Sequence, residues 1–455
     1  MAEMITLKGS KTQPYVWIRQ KLSRVATASL DNAMSYTMES YENGPYTVKL
    51  LKKHEKTGSY FFPQGLVSEA MEILTELGYE VTYEPGQKIP KKLSNDIKWN
   101  GPTLWQHQQE ALTEAHTCFK NGQGVILHIP TRGGKTLISL KLIQELQVPT
   151  LIIVHNEELL RQWKEEVKKK LDMNAGEIKE STRDLQDITV GMVQTINNAI
   201  KKGEKFNFDF LIVDEVHHYS SQMFYYVAMR ISSYYRLGLS ATPRREDGDD
   251  KKFIAAIGKV IHPVSVSNLI KRGILVKPKF IFYKCKVTEK TGYKTWEEAY
   301  KKGIVDNVDR NDMIKTITEK YRDKQIYIHV IRISHGKQLQ KLMPGSIFVS
   351  GKDSSATREK AISDFKLRNT KILISTLLGE GVDLPIMDVI INAASGKSWT
   401  SYVQRLGRVL TASEGKHEAV VIDFLDYGHK WHRDHSQRRM EIIREMFPEE
   451  ELKII

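Results

Sequence analysis

Gly124-Val125-Ile126-Leu127-His128-Ile129-Pro130-Thr131-Arg132-Gly133-Gly134-Lys135-Thr136 is an apolar run that ends in a loop rich in small residues. After it, apolar residues recur at helical spacing, so the order is strand, tight loop, helix. Such a loop points successive backbone N–H groups at one spot ahead of a helix N-terminus, which suits a phosphate chain. Gly133 and Gly134 permit close approach and unusual dihedrals. Lys135 is placed to reach the β- and γ-phosphates, and the Thr136 hydroxyl to hold Mg2+. Thr131 stands in the loop as a further nucleotide contact. The general pattern has a glycine where this chain has Ile129. Taken alone, the stretch therefore also reads as an ordinary glycine turn.

Downstream, Phe210-Leu211-Ile212-Val213 runs into Asp214-Glu215-Val216-His217. A strand buried on both faces delivers two carboxylates at the C-terminal edge of a parallel sheet, beside the phosphate loop. Asp214 then binds Mg2+ through water, and Glu215 orients or deprotonates the attacking water. Around these two motifs, strand-like runs at 124–129, 150–154, 188–192, 210–213 and 235–239 alternate with amphipathic stretches. That alternation predicts a parallel sheet covered by helices on both faces. A second series at 325–331, 346–349, 371–374, 389–392 and 419–424 predicts another α/β lobe, joined to the first near 264–278. Residues 1–90 mix short strands with one helical pattern, a small α/β module. Residues 84–102 carry Pro85, Pro90 and Pro102 with lysines between, and read as a linker.

The chain has 455 residues, of which 40% are hydrophobic and 27% charged, enough apolar material for more than one core. It contains no apolar run long enough for a membrane-spanning helix, and the first residues lack the apolar core of a secretory signal. Two cysteines, Cys118 and Cys285, exclude a disulfide framework and point to a reducing, cytoplasmic compartment. The net charge of +13 is uneven. Basic residues number 13 against 11 acidic in 1–100, 21 against 20 in 101–265, and 34 against 24 in the remainder. A polyanionic partner is the natural inference, set against ordinary surface lysine.

The order of motifs resembles a superfamily two helicase of the DExH kind, over about residues 100–430. Leu104-Trp105-Gln106-His107-Gln108 is similar to the segment in which a glutamine, here Gln108, reads adenine. His155 and Asn156, and Met192-Val193-Gln194-Thr195, resemble strand-contacting motifs. Ser240-Ala241-Thr242-Pro243 resembles the motif that couples hydrolysis to the lobes. In the second series, 375–385 resembles motif V, with Gly381 and Asp383 as nucleotide contacts. Gln404-Arg405-Leu406-Gly407-Arg408 resembles motif VI. The resemblance implies an α/β protein of two tandem RecA-like parallel-sheet lobes with a small N-terminal accessory domain. The divisions expected are 1–95 for a DNA-recognition module, 96–268 and 269–430 for the lobes, and 431–455 for a basic helical tail.

It also implies roles. ATP and Mg2+ sit in the cleft, and an arginine from the second lobe neutralises the charge developing on the γ-phosphate, an effect on the order of 10³–10⁵ in rate. Arg408 is the residue chosen for it, with Arg405 as partner or support. The family's third arginine is replaced here by Thr411. His217, Ser240, Thr242 and Gln404 are expected to couple hydrolysis to movement. His155, Asn156, Gln194, Thr195, Ser350, Gly351 and Thr376 are expected to contact a nucleic-acid backbone without reading bases. Singly, each of these also reads as a helix cap or turn.

Arg245-Glu246-Asp247, Gly273-Ile274-Leu275-Val276 and Asp306-Asn307-Val308-Asp309-Arg310-Asn311 are similar to XPB-like helicases and their phage relatives of the UvsW type. That narrows the expectation to an ATP-dependent DNA helicase or translocase. It would act as a monomer on branched or forked DNA with a single-stranded tracking strand, in the cytoplasm, or the host cytoplasm if phage-encoded. An ATP-gated duplex clamp that does not unwind, and an RNA helicase, are the alternatives. His429, His432 and His435 fall on one helical face, but a basic helix accounts for them better than a metal. Tyr225, Tyr226, Tyr234 and Tyr235 read as packing more than as base-stacking groups.

Overall fold

The computed structural model describes residues 3–38, 45–130, 132–214, 221–240, 250–261, 264–287, 293–377, 386–396, 399–413 and 415–455. The chain divides into two units between Val264 and Ser265, within the stretch where the two lobes were expected to join.

The first unit begins with a five-stranded sheet in the order Lys52–Lys53, Tyr60–Pro63, Tyr15–Ile18, Met4–Gly9, Glu80–Glu84. Alternation in these strands puts Ile5, Leu7, Val16, Ile18 and Phe62 on one face, where they are fully buried. Helices Arg24–Ala33 and Val67–Glu76 cover that face through Ala26, Leu30, Ala70 and Leu74. Ser23 caps the first of them, its hydroxyl accepting the Ala26 N–H at 3.1 Å.

This module is not a separate bead. Its core continues into Ala255 of the helix Asp250–Ala256. A Cβ at Gly65 would lie 1.9 Å from the Ile254 carbonyl oxygen, so only glycine allows that approach. The stretch read as a linker is a strap. Leu93 N–H donates to the Gln147 carbonyl at 2.7 Å, and Asn100 N–H to the Lys170 carbonyl at 2.7 Å. The Gln147 carboxamide grips the Ile97 backbone at both ends, 2.8 and 3.1 Å. The prolines fix an extended path along the lobe, which composition alone does not separate from a free linker.

The second sheet of this unit has eight strands in the order Thr182–Asp184, Gly176–Lys179, Ile188–Met192, Thr150–Val154, Phe210–Val213, Tyr235–Ser240, Val125–His128, Lys259–Ile261. Every neighbouring pair is parallel except the first, which is antiparallel. The central strands are buried along their whole length, so they read as unbroken apolar runs.

The second unit holds a seven-stranded sheet, parallel throughout, in the order Ile347–Val349, Ile372–Ser375, Ile326–His329, Val389–Asn392, Glu418–Tyr427, Lys277–Lys286, Leu452–Ile454. Both units are therefore α/β with parallel sheets. Two features depart from expectation. The ten-residue strand Lys277–Lys286, which begins where the stretch read as the joint ends, was not among the expected strand runs. The segment expected as a basic helical tail packs as part of the lobe, helix Lys430–Met446 burying Met440, Ile442 and Ile443, and Leu452–Ile454 adds an edge strand that was not expected. Among the described residues no helix is long and apolar enough to cross a membrane.

Candidate nucleotide site and strand contacts

The C-terminal ends of the parallel strands in the eight-stranded sheet gather most of the expected residues that are described. Val125–His128 leads into the glycine loop, Phe210–Val213 into Asp214, and Tyr235–Ser240 lies between them. Thr131, Glu215, His217, Thr242, Gly381, Asp383 and the Gln404 side chain lie outside the described residues, as do residues 245–247.

The loop has a left-handed turn at each side of Gly133: Arg132 at φ 69° and Gly134 at φ 93°. Gly134 is the N-cap of helix Lys135–Leu146, with no side-chain cap, so the first helical N–H groups face the loop. Packing favours glycine at 133 and the left-handed φ favours it at 134. A Cβ on Gly133 would meet Ile129 Cγ2 at 2.2 Å, and one on Gly134 would meet Gln108 Nε2 at 2.1 Å. Ile129 is itself fully buried, which explains how the chain tolerates it in place of the usual glycine. It continues the strand and packs under Gly133. Lys135 Nζ donates to the Ile129 carbonyl at 3.0 Å, folded across the loop. Thr136 is half-buried on the first turn.

Helix Gln106–Lys120 braces the loop from the side. His107, fully buried, donates through Nε2 to the Gly133 carbonyl at 2.9 Å. Gln108 is buried too. Its Oε1 accepts the Trp105 N–H at 3.0 Å, and its Nε2 donates to the Gly133 carbonyl at 3.4 Å. The contacts of Gln108 here are thus with the start of its own helix and with the phosphate loop. His107 carries a brace that the sequence reading did not assign.

Asp214 is 7% exposed. Its Oδ2 accepts the indole Nε1–H of Trp163 at 2.8 Å, a bond that fixes the carboxylate at the strand end. Trp163 is not among the residues to which the sequence assigned a role. It lies on the apolar face of helix Glu157–Leu171 with Leu160, Val167 and Leu171, where spacing alone reads as core. The oxygens of Thr136 and Asp214 suit a hard cation, and the glycine cradle suits phosphate.

His155, Asn156 and Gln194 come together at the ends of two paired strands, with Met192 opposite Val154. Asn156 caps its helix through Oδ1, accepting the Leu159 N–H at 2.8 Å, and its Nδ2 lies 3.1 Å from His155 Nε2. Gln194 Nε2 donates to the His155 carbonyl at 3.5 Å. The Thr195 hydroxyl accepts the Glu180 N–H at 3.2 Å. Ser240, fully buried, takes the Ile129 N–H on its carbonyl at 3.1 Å.

In the second unit, Ser350, Gly351 and Thr376 also meet. Asp353 accepts both the Ser350 N–H and hydroxyl, and Gly351 N–H donates to Thr376 Oγ1 at 3.3 Å. Those two bonds from Ser350 hold the Asp353 carboxyl below its usual range.

The two arginines of helix Trp399–Val409 separate in role. Arg408 is half-exposed. Arg405 is buried: its Nη1 donates to His329 Nε2 at 3.3 Å and its guanidinium lies 5.5 Å from the Tyr402 ring centre. Burial brings its pKa down to about 10 and pushes that of His329 well below the ordinary imidazole value. These contacts suit Arg405 to the supporting part of the expected role, inside the lobe. Thr411, where the family has an arginine, is buried and bridges to Leu275, so that position is part of the fold.

The segment Asp306–Asn311 is structural as well. Asn307 caps helix Val308–Lys320, and buried Arg310 pairs with Asp426 at 3.0 Å. His429, His432 and His435 join Trp296 and Trp431 in an aromatic cluster; Trp296 and His435 rings are 4.3 Å apart. Among the described residues no group of three or more His, Cys, Asp or Glu is placed to hold a metal. Tyr225 and Tyr226 pack against the first-lobe core, and Tyr234 and Tyr235 contact each other edge-on.

Residues 102–245 match the family described as type III restriction enzyme, res subunit, and 309–412 match the helicase conserved C-terminal domain. The chain is 27% identical over 383 residues to the DNA 3'-5' translocase XPB2 of Sulfurisphaera tokodaii, covering 74% of this chain and 84% of that protein. It is 26% identical over 363 residues to the putative helicase 22 of Sulfolobus islandicus filamentous virus, covering 71% of this chain and 64% of that one, just under two thirds of its length. The crystal structure of T4 UvsW aligns with 99% of each chain at 19% identity and a TM-score of 0.43.

Proposed function

Since the chain belongs to the superfamily two helicases, with XPB-like relatives, we propose that it is an ATP-dependent DNA helicase or translocase that remodels branched or forked DNA. The observation that carries the reading is the nucleotide cradle. Two loop glycines, a lysine on the first helical turn and a carboxylate pinned by an indole stand on one edge of one parallel sheet. A binding module with no turnover would have no need of the full set of Lys135, Asp214, Glu215 and Arg408.

The loop N–H groups and Lys135 bind the phosphates and draw charge toward the β–γ bridge. Thr136 and Asp214 would hold Mg2+, which when bound neutralises phosphate charge. Trp163 keeps the Asp214 carboxylate in one rotamer, so no reorganisation is needed during the reaction. Glu215, next along the chain, would orient or deprotonate the attacking water. Arg408 is the half-exposed cation of the second unit suited to the charge that develops on the γ-phosphate.

His155, Asn156, Gln194 and Thr195 in the first unit, and Ser350, Gly351 and Thr376 in the second, would hold backbone phosphates. All are small polar groups or amides, so binding is insensitive to sequence and weakens steeply with salt. The N-terminal module, locked to the lobe of the eight-stranded sheet, would supply preference for branches.

The test is a substrate panel of forks, four-way junctions, D-loops, plain duplexes and RNA hybrids, scored for ATP-dependent displacement. Displacement of forks and junctions ahead of plain duplex is expected. Strand-stimulated turnover with no displacement on any DNA substrate would overturn the helicase reading in favour of a clamp. Activity confined to RNA hybrids would overturn the choice of DNA.

A further inference from the structure

The N-terminal sheet has a second face. Its core lies entirely on the helix side, where Ile5, Leu7, Val16, Ile18 and Phe62 are fully buried. Strand alternation turns the intervening residues the other way. The register sets Lys52 opposite Phe61, Phe61 opposite Trp17, Trp17 opposite Lys8 and Lys8 opposite Glu84, one row across five strands.

Polar side chains are the rule on the outward face of such a sheet. Here its centre is an aromatic pair. The Trp17 and Phe61 rings stack with centroids 4.8 Å apart and planes at 27°. The His54 ring meets Trp17 edge-on at 5.6 Å. Both aromatics stay half-exposed, although the module's own core is already complete beneath them.

Charge is graded along the row. At one edge Lys8 is tied to Glu84 at 3.3 Å. The other edge carries Lys52, Lys53 and Lys56, all exposed. Among the described residues neither Lys52 nor Lys56 has an acidic partner within ion-pair distance. A stacked aromatic pair beside unpaired lysines is complementary to a flexible polyanion with free ring faces.

We propose that this face is a stacking platform for unpaired bases of single-stranded DNA, with the strand's phosphates running along the Lys52–Lys56 edge. The choice of DNA rests on the function proposed above. Every base has a π-face, so stacking tolerates any sequence and demands only that the base be unpaired. A module that grips unpaired bases, fixed to the motor by Gly65 and Ala255, would favour DNA that has single-stranded arms. It thereby gives branch preference a physical basis.

The full chain, without nucleotide, is titrated with a fluorescent 20-mer oligothymidylate and with a blunt duplex of the same length. Trp17→Leu with Phe61→Leu keeps apolar volume and removes the π-faces. Single-strand affinity is expected to fall about tenfold, with duplex affinity little changed. Lys52→Glu with Lys56→Glu alters only exposed side chains, so folding is not at issue. It is expected to lower the slope of log affinity against log salt by about 1.4, two phosphate contacts at about 0.7 each on single strands. A halogenated-uracil 20-mer, photoactivated, is expected to crosslink to Trp17 or Phe61.

Single-strand affinity within twofold of the unaltered chain in both variants, or equal loss on blunt duplex, overturns the platform. So does loss confined to an RNA 20-mer. The crosslink needs no ATP, so it still reads out if the motor proves inactive.

Discussion

The Trp163 indole N–H and the Asp214 carboxylate are joined at 2.8 Å inside the first unit, so one ring decides how the acid at the strand end faces the phosphate loop. Trp163→Phe keeps most of the packing and deletes the bond. A hydrogen bond to a charged group is worth about 1.5–3 kcal/mol, so turnover is expected to drop about tenfold or more, with half-saturation by Mg2+ shifted upward. ATPase rates across a Mg2+ titration check this. An unchanged Mg2+ curve would mean the carboxylate is held by other contacts.

Gly134 gives a sharper test of the cradle. It sits at φ 93°, and a methyl group there would come within 2.1 Å of Gln108 Nε2. Gly134→Ala is expected to weaken ADP binding at least tenfold by calorimetry, through a left-handed penalty of about 1–2 kcal/mol and the clash. Adding Gln108→Ala removes the clash and leaves the dihedral penalty, so it restores only part of the loss.

Arg405 and Arg408, three residues apart on one helix, are expected to fail in different ways. Arg405→Ala empties a buried site beside His329 and Tyr402, and a destabilisation of about 2–4 kcal/mol is expected from denaturant melts. Arg408→Ala is expected to leave the melt unchanged and lower strand-stimulated turnover by about 10³. The reverse pattern would exchange their roles.

The parallel sheets were legible because their central strands are apolar throughout, and the glycine loop because its residues are set by backbone sterics. Three things were not. Lys277–Lys286 alternates lysines with buried Phe280 and Phe282 and follows the lobe joint, so it lacks the unbroken apolar run of its neighbours. Gln108 and Arg405 have the residue types that the family's chemistry uses, and only their contacts show that they brace the fold here. Trp163 and His107 act through single hydrogen bonds between distant segments, and spacing carries no signal of those.

Besides His329, two further buried imidazoles give the second unit a pH-dependent stability. Burial lowers His335 to about 3 and His432 to about 4. Unfolding releases both to an ordinary pKa near 6.5, so below that pH the unfolded chain takes up protons that the folded one refuses. Stability is therefore full above about pH 6.5 and is lost progressively as pH falls toward 4. At pH 5 each contributes a loss of about 2 kcal/mol. Denaturant melts from pH 7.5 to 4.5 check it. His335→Gln, which can still bond Asn311, is expected to flatten the slope.

Arg439 decides whether the last helix is an appendage. Its Nε and Nη2 bond the Asp423 carboxylate at 3.0 and 2.9 Å, its Nη2 also reaches the Phe424 carbonyl, and both ionic groups are buried. Asp423 lies on Glu418–Tyr427, near the centre of the sheet, so removing the helix strands a buried carboxylate. Arg439→Met is expected to cost about 3–5 kcal/mol, and adding Asp423→Leu to recover part of it, since the lone charge is what destabilises. Ending the chain at residue 429 removes Arg439 and the edge strand together. That truncation is expected to yield no folded second unit, read by loss of its cooperative melt. A truncated chain that melted normally would make the helix a dispensable tail after all.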